Sequence, residues 1–465
     1  MTDRDRPAAQ PVRDRLTPPP RFVRIGDVAA IDKDILRLAL PALGALIAEP
    51  IFLLTDTAMV GHLGAGALGS LAIASTILQT VLGLMIFLAY ATTPRVAKRM
   101  GSGDRPGAIT AGFDGIWLAL GTSVLLIIVG LPLLTTAIGA FDPEPSITAG
   151  AHSYLAISWW GLPFMLMVIA ATGLLRGLQD TKTPLIVAAV GCIANIGLNA
   201  VFIYGLDMGV AGSAMGTVIA QAGMCAFYLT ISIRAARRFR AGIRPDWTGV
   251  FTSAKTSGWL LVRNASLRAA LILLVFLATA MGTTDLAAIQ VAQSIFFALA
   301  LALDSLAIAG QAMIGLELGK KNTEAVAAIN RRLCLWGIVF GIAVGIVLFA
   351  GSGFIPRAFA SDPAVVSALA ALLPVLALSM PIAGFVFVLD GVLMGAEDAR
   401  YLALAQLVAV IGYAILLIPI VNIWPGAPGL WAGFCIGFVG FRALTLGWRV
   451  RNRAWIERAV EKGIS

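Results

Sequence analysis

Twelve long apolar segments constrain the fold of this chain more than any other feature of its sequence. A segment of about 20 mostly apolar residues is long enough to cross a bilayer as an α-helix. Charged residues are only 13% of the chain, too few to cover a water-exposed surface. We therefore predict an all-α integral membrane protein with twelve transmembrane helices. The segments are residues 35–61, 68–94, 112–137, 150–176, 184–205, 209–234, 257–281, 286–316, 332–356, 366–394, 402–423 and 429–449.

The basic residues predict how the helices are oriented. Lys and Arg accumulate in cytoplasmic loops, and here they follow the even-numbered segments and occupy both terminal regions. The alternate loops carry only Arg357. Both termini are therefore predicted to be cytoplasmic. The net charge of +9 then belongs to the membrane surface and not to a nucleic-acid site.

An internal duplication divides the chain into two halves. The stretches GLPFMLMVIAATGLLRGLQD, from position 161, and SMPIAGFVFVLDGVLMGAED, from position 379, share Pro, Gly, Leu, Gly and Asp at a spacing of 218 residues. The same spacing relates Gly101 to Gly319. Each half contains six segments, an even number, so both halves enter the membrane in the same direction. We therefore expect two six-helix bundles related by a pseudo-two-fold axis along the membrane normal, an arrangement typical of transporters.

The terminal regions and the central loop complete the predicted organisation. The first residues mix Arg, Asp and Pro without apolar periodicity, which is typical of a disordered segment. The predicted regions are a disordered cytoplasmic tail (1–28), a six-helix bundle (29–238), a cytoplasmic linker (239–256), a second six-helix bundle (257–450) and a cytoplasmic C-terminal tail (451–465).

Outside the loops and helix ends, six ionisable residues fall at membrane depth, where a centrally placed charge costs about 2.5 to 3.5 kcal/mol on insertion scales. They are Glu49, Asp56, Arg263, Arg268, Asp304 and Asp390. In the second half, Arg263 and Arg268 can neutralise Asp304 and Asp390, which would hold helices together. A substrate site at these residues is the alternative.

Asp56 has no basic residue at comparable depth in its half of the chain. Such a carboxylate can bind and release a proton near neutral pH, because burial disfavours its charged form. Its polar neighbours are Asn195 and Asn199, one helical turn apart, and Thr217, although such residues also serve as hydrogen-bonding glue between helices. We predict a proton or cation site at Asp56. For Glu49, a cavity-facing role, pairing and snorkelling all stay open.

The sequence resembles the multidrug and toxic compound extrusion (MATE) transporters. The resemblance rests on the twelve segments, on GLLRGLQD and GVLMGAED, and on PIFLLTDTAMVGHLG, and it covers residues 30–450. ALDSLAIAGQAMIGLELG and VLDGVLMGAED resemble the DinF branch of that family. The resemblance implies a transporter of a bacterial inner membrane that works by alternating access. A small amphipathic, cationic compound would leave the cytoplasm while protons, or alternatively sodium ions, enter.

The resemblance also assigns roles to residues. By motif, the family's cation-coupling cluster falls on Asp56, Tyr154, Asn195, Asn199 and Thr217. Pro41 falls where the family's first helix bends, and proline itself disrupts helices because it lacks a backbone donor. Asn199 stands where many relatives have Asp, so the cluster has one carboxylate and favours protons over sodium ions. Asp304 and Asp390 match acidic positions of the DinF branch.

Other classes of function fit the sequence less well. A lipid-linked precursor flippase of the wider superfamily would need a strongly basic cavity for the pyrophosphate, for which Arg263 and Arg268 are the candidates. No His, Ser or Cys constellation indicates an enzyme. The histidines and cysteines have no metal-ligand spacing. We expect no cofactor, and we expect a monomer whose partners are a small-molecule substrate and membrane lipid, with no nucleic acid.

Overall fold

The computed structural model describes residues 28–461, so the tail predicted over 1–28 lies almost wholly outside the described residues. Within that range twelve helices are long and apolar enough to cross a membrane, which confirms the predicted fold class. They are α1 (Val28–Gly61), α2 (Ala65–Gly101), α3 (Arg105–Gly139), α4 (Pro145–Gly177), α5 (Lys182–Gly205), α6 (Gly209–Phe239), α7 (Trp247–Met281), α8 (Thr283–Gly319), α9 (Thr323–Ala350), α10 (Pro363–Gly395), α11 (Ala399–Ile423) and α12 (Ala427–Val450).

Several of these helices are irregular or are joined by short helices. Helix α2 is divided at Ile86 into Ala65–Met85 and Phe87–Gly101. Helix α5 ends in a π-helical turn, Ala200–Gly205, directly after Asn199. A second π-helical turn, Phe434–Val439, interrupts α12. Such turns are rare in proteins, and those that occur are often found at functional sites.

Two helical regions extend beyond the predicted segments. Helix α7 begins at Trp247, where Asp246 caps it by accepting a hydrogen bond from the Thr248 amide. The loop between the bundles is therefore shorter than the linker predicted over 239–256, because hydropathy marks the part of a helix in lipid and not its polar first turns. Residues Ala454–Glu461, inside the predicted C-terminal tail, form a further short helix. Another short helix, Ile355–Phe359, precedes α10.

The internal duplication is visible in how the helices pack. A Cβ atom at Gly173 of α4 would lie 2.9 Å from the Ala89 carbonyl oxygen of α2. A Cβ atom at Gly391 of α10 would likewise lie 2.4 Å from the Ala307 carbonyl oxygen of α8. Both contacts need glycine, and the two pairs are related by the spacing of 218 residues found in the sequence. Helices α1–α6 and α7–α12 therefore form two similar six-helix bundles.

The two bundles meet closely at the end where the basic loops lie. There the second part of α2, Phe87–Gly101, packs extensively against α8, far more than the first part, Ala65–Met85. A Cβ atom at Gly101 would lie 2.0 Å from the Leu316 carbonyl oxygen, and one at Gly319 would lie 1.9 Å from that of Lys98. The repeat-related glycines thus let the backbones of the two bundles touch. The structure is closed at this end.

Candidate functional site

The carboxylate of Asp56 is enclosed by α1, α4, α5 and α6, and the residue is only 2% exposed. Asn199 Nδ2 donates a hydrogen bond to Asp56 Oδ1 over 2.9 Å. Ser213 Oγ of α6 donates to the same oxygen, and Tyr154 of α4 lies beside the carboxylate. Among the ion pairs of residues 28–461, none involves Asp56. Its identified partners are therefore neutral.

A chain of amides and hydroxyls extends from this carboxylate. Asn195 Nδ2 lies 3.4 Å from Asn199 Oδ1 and 3.2 Å from Thr217 Oγ1, and donates to both. Asn195 and Asn199 are fully buried, one turn apart on α5, as their spacing predicted. The structure thus brings together all five residues that the resemblance assigned to this cluster.

Two glycines on α6 make the cluster compact. A Cβ atom at Gly216 would lie 2.2 Å from Asn199 Oδ1, and one at Gly212 would lie 2.8 Å from the Phe202 backbone. Glycines four residues apart allow close approach of two helices in a membrane. Helix α6 can therefore approach α5 closely enough for Ser213 to reach Asp56.

Sequence reasoning missed Ser213. The available signal was its position four residues before Thr217, which places both hydroxyls on one face of α6. A single serine in an apolar helix more often bonds to a carbonyl of its own helix. Only the position of α1 beside α6 distinguishes Ser213 from that ordinary case.

The buried acid of the second bundle, Asp390, has very different surroundings. Arg263 Nη2 of α7 lies 2.6 Å from Asp390 Oδ2, and Arg442 of α12 forms a second ion pair with the same oxygen. All three residues are buried. The guanidinium of Arg442 also lies 5.6 Å from the centre of the Phe438 ring. Asp390 is thus an ion-paired residue that joins three helices of the second bundle.

The arginine pair predicted from the sequence is partly wrong. Arg263 pairs with Asp390, but Arg268 is exposed, and its guanidinium lies against Gly83 of α2. Five residues along an α-helix turn the side-chain direction by about 140°, so the two arginines of α7 cannot face one partner. The second arginine is instead Arg442, which lies inside the last predicted segment but was not among the six residues predicted at membrane depth.

Asp304 of α8 is partly buried and forms no ion pair with any described residue. It lines a small cavity between the bundles. Tyr90 of α2 supplies the wall from the first bundle, and Gln311 Nε2 donates to the Tyr90 carbonyl over 2.8 Å. The other lining residues are Arg263, Ala307, Ile308, Phe387, Asp390 and Met394. A carboxylate beside aromatic rings suits an organic cation.

Two predicted residues of α1 lie outside both clusters. Glu49 is exposed and forms no ion pair within the described part of the chain. Pro41 lies inside α1, which runs as one helix through Pro41 and Pro50. The bend at Pro41 stays a prediction. No group of three or more His, Cys, Asp or Glu in residues 28–461 could hold a metal ion.

Comparisons with known proteins give consistent results. The MatE family model matches residues 41–201 and 261–420. Protein DETOXIFICATION 42 of Arabidopsis thaliana is 30% identical, with 90% of this chain and 91% of that protein covered. DNA damage-inducible protein F of Escherichia coli is 28% identical, with 94% and 96% covered. The crystal structure of the Vibrio cholerae MATE transporter VcmN in the bent form has a TM-score of 0.84 at 19% identity, with 93% and 98% covered, which supports the fold.

Proposed function

Because this chain belongs to the MatE family, whose members are membrane transporters and not enzymes, we propose that it exports small amphipathic compounds in exchange for protons. Export would proceed by alternating access between the two bundles. We further propose that the protein acts as a monomer in a bacterial inner membrane, with both termini in the cytoplasm, as the distribution of basic residues predicts.

The observation that carries the proton coupling is the neutral surroundings of Asp56. Its carboxylate accepts hydrogen bonds from Asn199 and Ser213 and has no cationic partner among the described residues. Protonation removes the charge and weakens both acceptor interactions. The contacts of α1 with α5 and α6 then differ between the two protonation states, and such a difference can shift a conformational equilibrium. A bend of α1 near Pro41 is one way to realise that shift.

The same cluster supports protons better than sodium ions. A sodium site would use oxygen ligands, and the cluster offers side-chain oxygens from Asp56, Asn195 and Thr217. However, Asn199 directs its amide nitrogen at the carboxylate, so this position supplies a donor where a second carboxylate would supply a ligand. Sodium-coupled export by the same fold is the alternative.

In the second bundle we propose that Asp304, and not Asp390, contacts the substrate. Two arginines already neutralise Asp390, whereas Asp304 lines the cavity between the bundles without an ion pair among the described residues. With Tyr90 and Phe387 on the walls, that cavity offers a carboxylate and aromatic rings that would contact a cationic compound once the bundles move apart. The ion pair of Arg263 with Asp390 also speaks against a flippase, since it occupies one of the two arginines that could bind a pyrophosphate and leaves only Arg268.

The proposal is tested in proteoliposomes with a panel of compounds under an imposed proton or sodium gradient. Wild-type protein is expected to export cationic members when driven by a proton gradient. Asp56→Asn should lose this export at least tenfold, about 1.4 kcal/mol or more of coupling. Asp207→Asn is the matched control, because Asp207 is an exposed acid in the left-handed backbone region, which asparagine also tolerates.

Two outcomes would contradict the coupling proposal. One is export by Asp56→Asn at the rate of the Asp207→Asn control. The other is export that only a sodium gradient drives.

For the substrate site, Asp304→Asn is expected to weaken binding of cationic compounds about tenfold, or 1.4 kcal/mol, and to leave neutral compounds unaffected. Equal losses for both classes would argue against a role of Asp304 in recognising charge.

A further inference from the structure

Ion-paired side chains join the two bundles at the closed end. Arg332 of α9 forms two hydrogen bonds of 2.5 Å with the carboxylate of Asp32 on α1. Trp336, one turn further along α9, donates its indole N–H to Asp32 Oδ1 over 2.8 Å. The fork of Arg332 thus matches the carboxylate at both oxygens, which is the strongest geometry for such a pair. Asp32 belongs to the first bundle, whereas Arg332 and Trp336 belong to the second.

The contact of Asp32 with Arg332 and Trp336 is the first of two ties between the bundles. The second tie involves the short helix Ala454–Glu461, which follows α12. Its apolar side, Trp455, Ile456 and Ala459, is buried, and the helix packs against α8 and α9. From the first bundle, Lys98 Nζ of α2 donates to the Ala459 carbonyl over 2.6 Å. The last carbonyls of a helix have no partner in the helix, and a cation is favoured there. Lys98 therefore caps the C-terminal helix across the boundary between the bundles.

Both ties lie where the backbones of the bundles touch. The carbonyl of Lys98 faces Gly319, and Gly319 faces Gly101. Nearby, Gln179 Nε2, in the turn after α4, donates to the Ala312 carbonyl of α8 over 2.8 Å. Opening this end would separate α1 and α2 from α8 and α9, so every one of these contacts would have to break together.

We propose that the Asp32–Arg332–Trp336 tie and the C-terminal helix capped by Lys98 form a clasp that holds the basic end closed. The clasp is a conformational device that sets how often the protein opens towards the side on which its basic loops lie. It rests on the proposed function in that it assumes alternating access between the bundles.

The exposure of the clasp suits a contact that opens repeatedly. The side chains of Arg332 and Asp32 are 31% and 21% exposed, whereas those of Arg442 and Asp390 are each 5% exposed. Charges near water are rehydrated when they separate, so the free-energy difference between paired and separated states is small. The buried Asp390 pairs join helices within one bundle and need not break when the bundles move apart.

The clasp is tested by a distance measurement that needs neither substrate nor gradient. Spin labels are attached at Ser102→Cys and Glu324→Cys, exposed positions on opposite bundles at this end. The four native cysteines are replaced by serine. Pulsed electron spin resonance then gives the distribution of label distances. Wild-type protein is expected to show mainly the short distance of the closed state.

Arg332→Gln and Lys98→Gln each remove one tie. Each should raise the fraction of molecules with the long label distance about five-fold, as expected for a contact of about 1 kcal/mol. The matched controls are Arg331→Gln and Lys321→Gln, which remove an exposed charge beside each tie. Replacing Trp455 by Ala should act in the same direction as Lys98→Gln, because it detaches the C-terminal helix.

The exchanged pair, Asp32→Arg with Arg332→Asp, is the control for misfolding. It restores the opposite charges, so part of the population with the short label distance should return. Distributions that match the controls in all variants would overturn the clasp, even where proton-driven export holds. A shift to long distance in a protein that shows no proton coupling would overturn the proposed function and leave the clasp intact.

Discussion

Two buried aspartates, one in each bundle, have opposite surroundings. Asp56 accepts hydrogen bonds from Asn199 and Ser213, which are neutral, whereas Asp390 lies between two guanidinium groups. A charge at membrane depth needs compensation. Arginine partners compensate the carboxylate permanently, and neutral donors leave it able to change its charge. We therefore propose that Asp390 is a structural acid and that Asp56 is the acid that couples transport to protons.

The duplication shows how far the two bundles have diverged. At the spacing of 218 residues, Asp56 corresponds to Leu274, a fully buried residue of α7. Asp390 corresponds to Thr172 of α4, which donates to the Tyr228 hydroxyl over 3.1 Å. Each charge thus occurs in one half only, although the close contacts at Gly173 and Gly391 occur in both. The backbone packing is shared, and the chemistry is not.

The largest expected effect is that of Asp390→Asn. Without the carboxylate, two buried guanidinium groups lose their counter-charge, and we expect the free energy of unfolding to fall by about 3 to 5 kcal/mol. Asp56→Asn should cost less than about 1 kcal/mol, because the new amide oxygen can still accept from Ser213. Denaturant titration of both purified variants in detergent measures the difference. Equal losses would end the contrast between the two acids.

Asn199→Asp makes the first-bundle site more like a sodium site. It replaces the amide that donates to Asp56 with a second carboxylate, so we expect the free energy of unfolding to fall by about 2 to 3 kcal/mol near neutral pH. Sodium ions should restore part of that loss, and sodium-stimulated export should appear. Potassium chloride at the same ionic strength is the control. If sodium ions change neither the unfolding free energy nor export, the carboxylate at position 199 does not determine which ion is coupled to transport.

Ser213→Ala should have a smaller effect. It removes one of the two donors to Asp56 Oδ1, and a hydrogen bond to a charged group contributes about 1.5 to 3 kcal/mol. We expect slower proton-driven export and a lower unfolding free energy. Ser294→Ala is the matched control, because the exposed Ser294 hydroxyl donates to a carbonyl of its own helix, that of Gln290. Behaviour identical to that control would remove Ser213 from the cluster.

The smallest expected effect is that of Arg268→Gln, within about 0.5 kcal/mol in unfolding free energy, as for most exposed substitutions. Arg263→Gln on the same helix should cost several times more, because Arg263 pairs with the buried Asp390. Parallel denaturation curves of the two variants measure the ratio. Similar costs would return Arg268 to the pairing that the sequence suggested.

The sequence alone determined the class of fold and much of the first-bundle site. Hydropathy reports the solvent of a segment directly, so twelve spans and two halves follow from local composition and from the repeat. Fixed helical spacing places Asn195 and Asn199 on one face of α5, and the family motif grouped them with Asp56 and Thr217 on other helices. The family motif supplied Tyr154, which no spacing rule on another helix could have placed.

The tertiary structure decided which partner each charge has. Arg442 contacts Asp390, and Ser213 contacts Asp56, each from another helix. Arg332 contacts Asp32 across the boundary between the bundles. Contacts between helices depend on how the helices are rotated and how closely they approach. Those quantities arise from packing at glycines such as Gly216 and Gly319. A periodicity within one helix carries no information about the rotation of its neighbour, so these pairings were open until the helices were assembled.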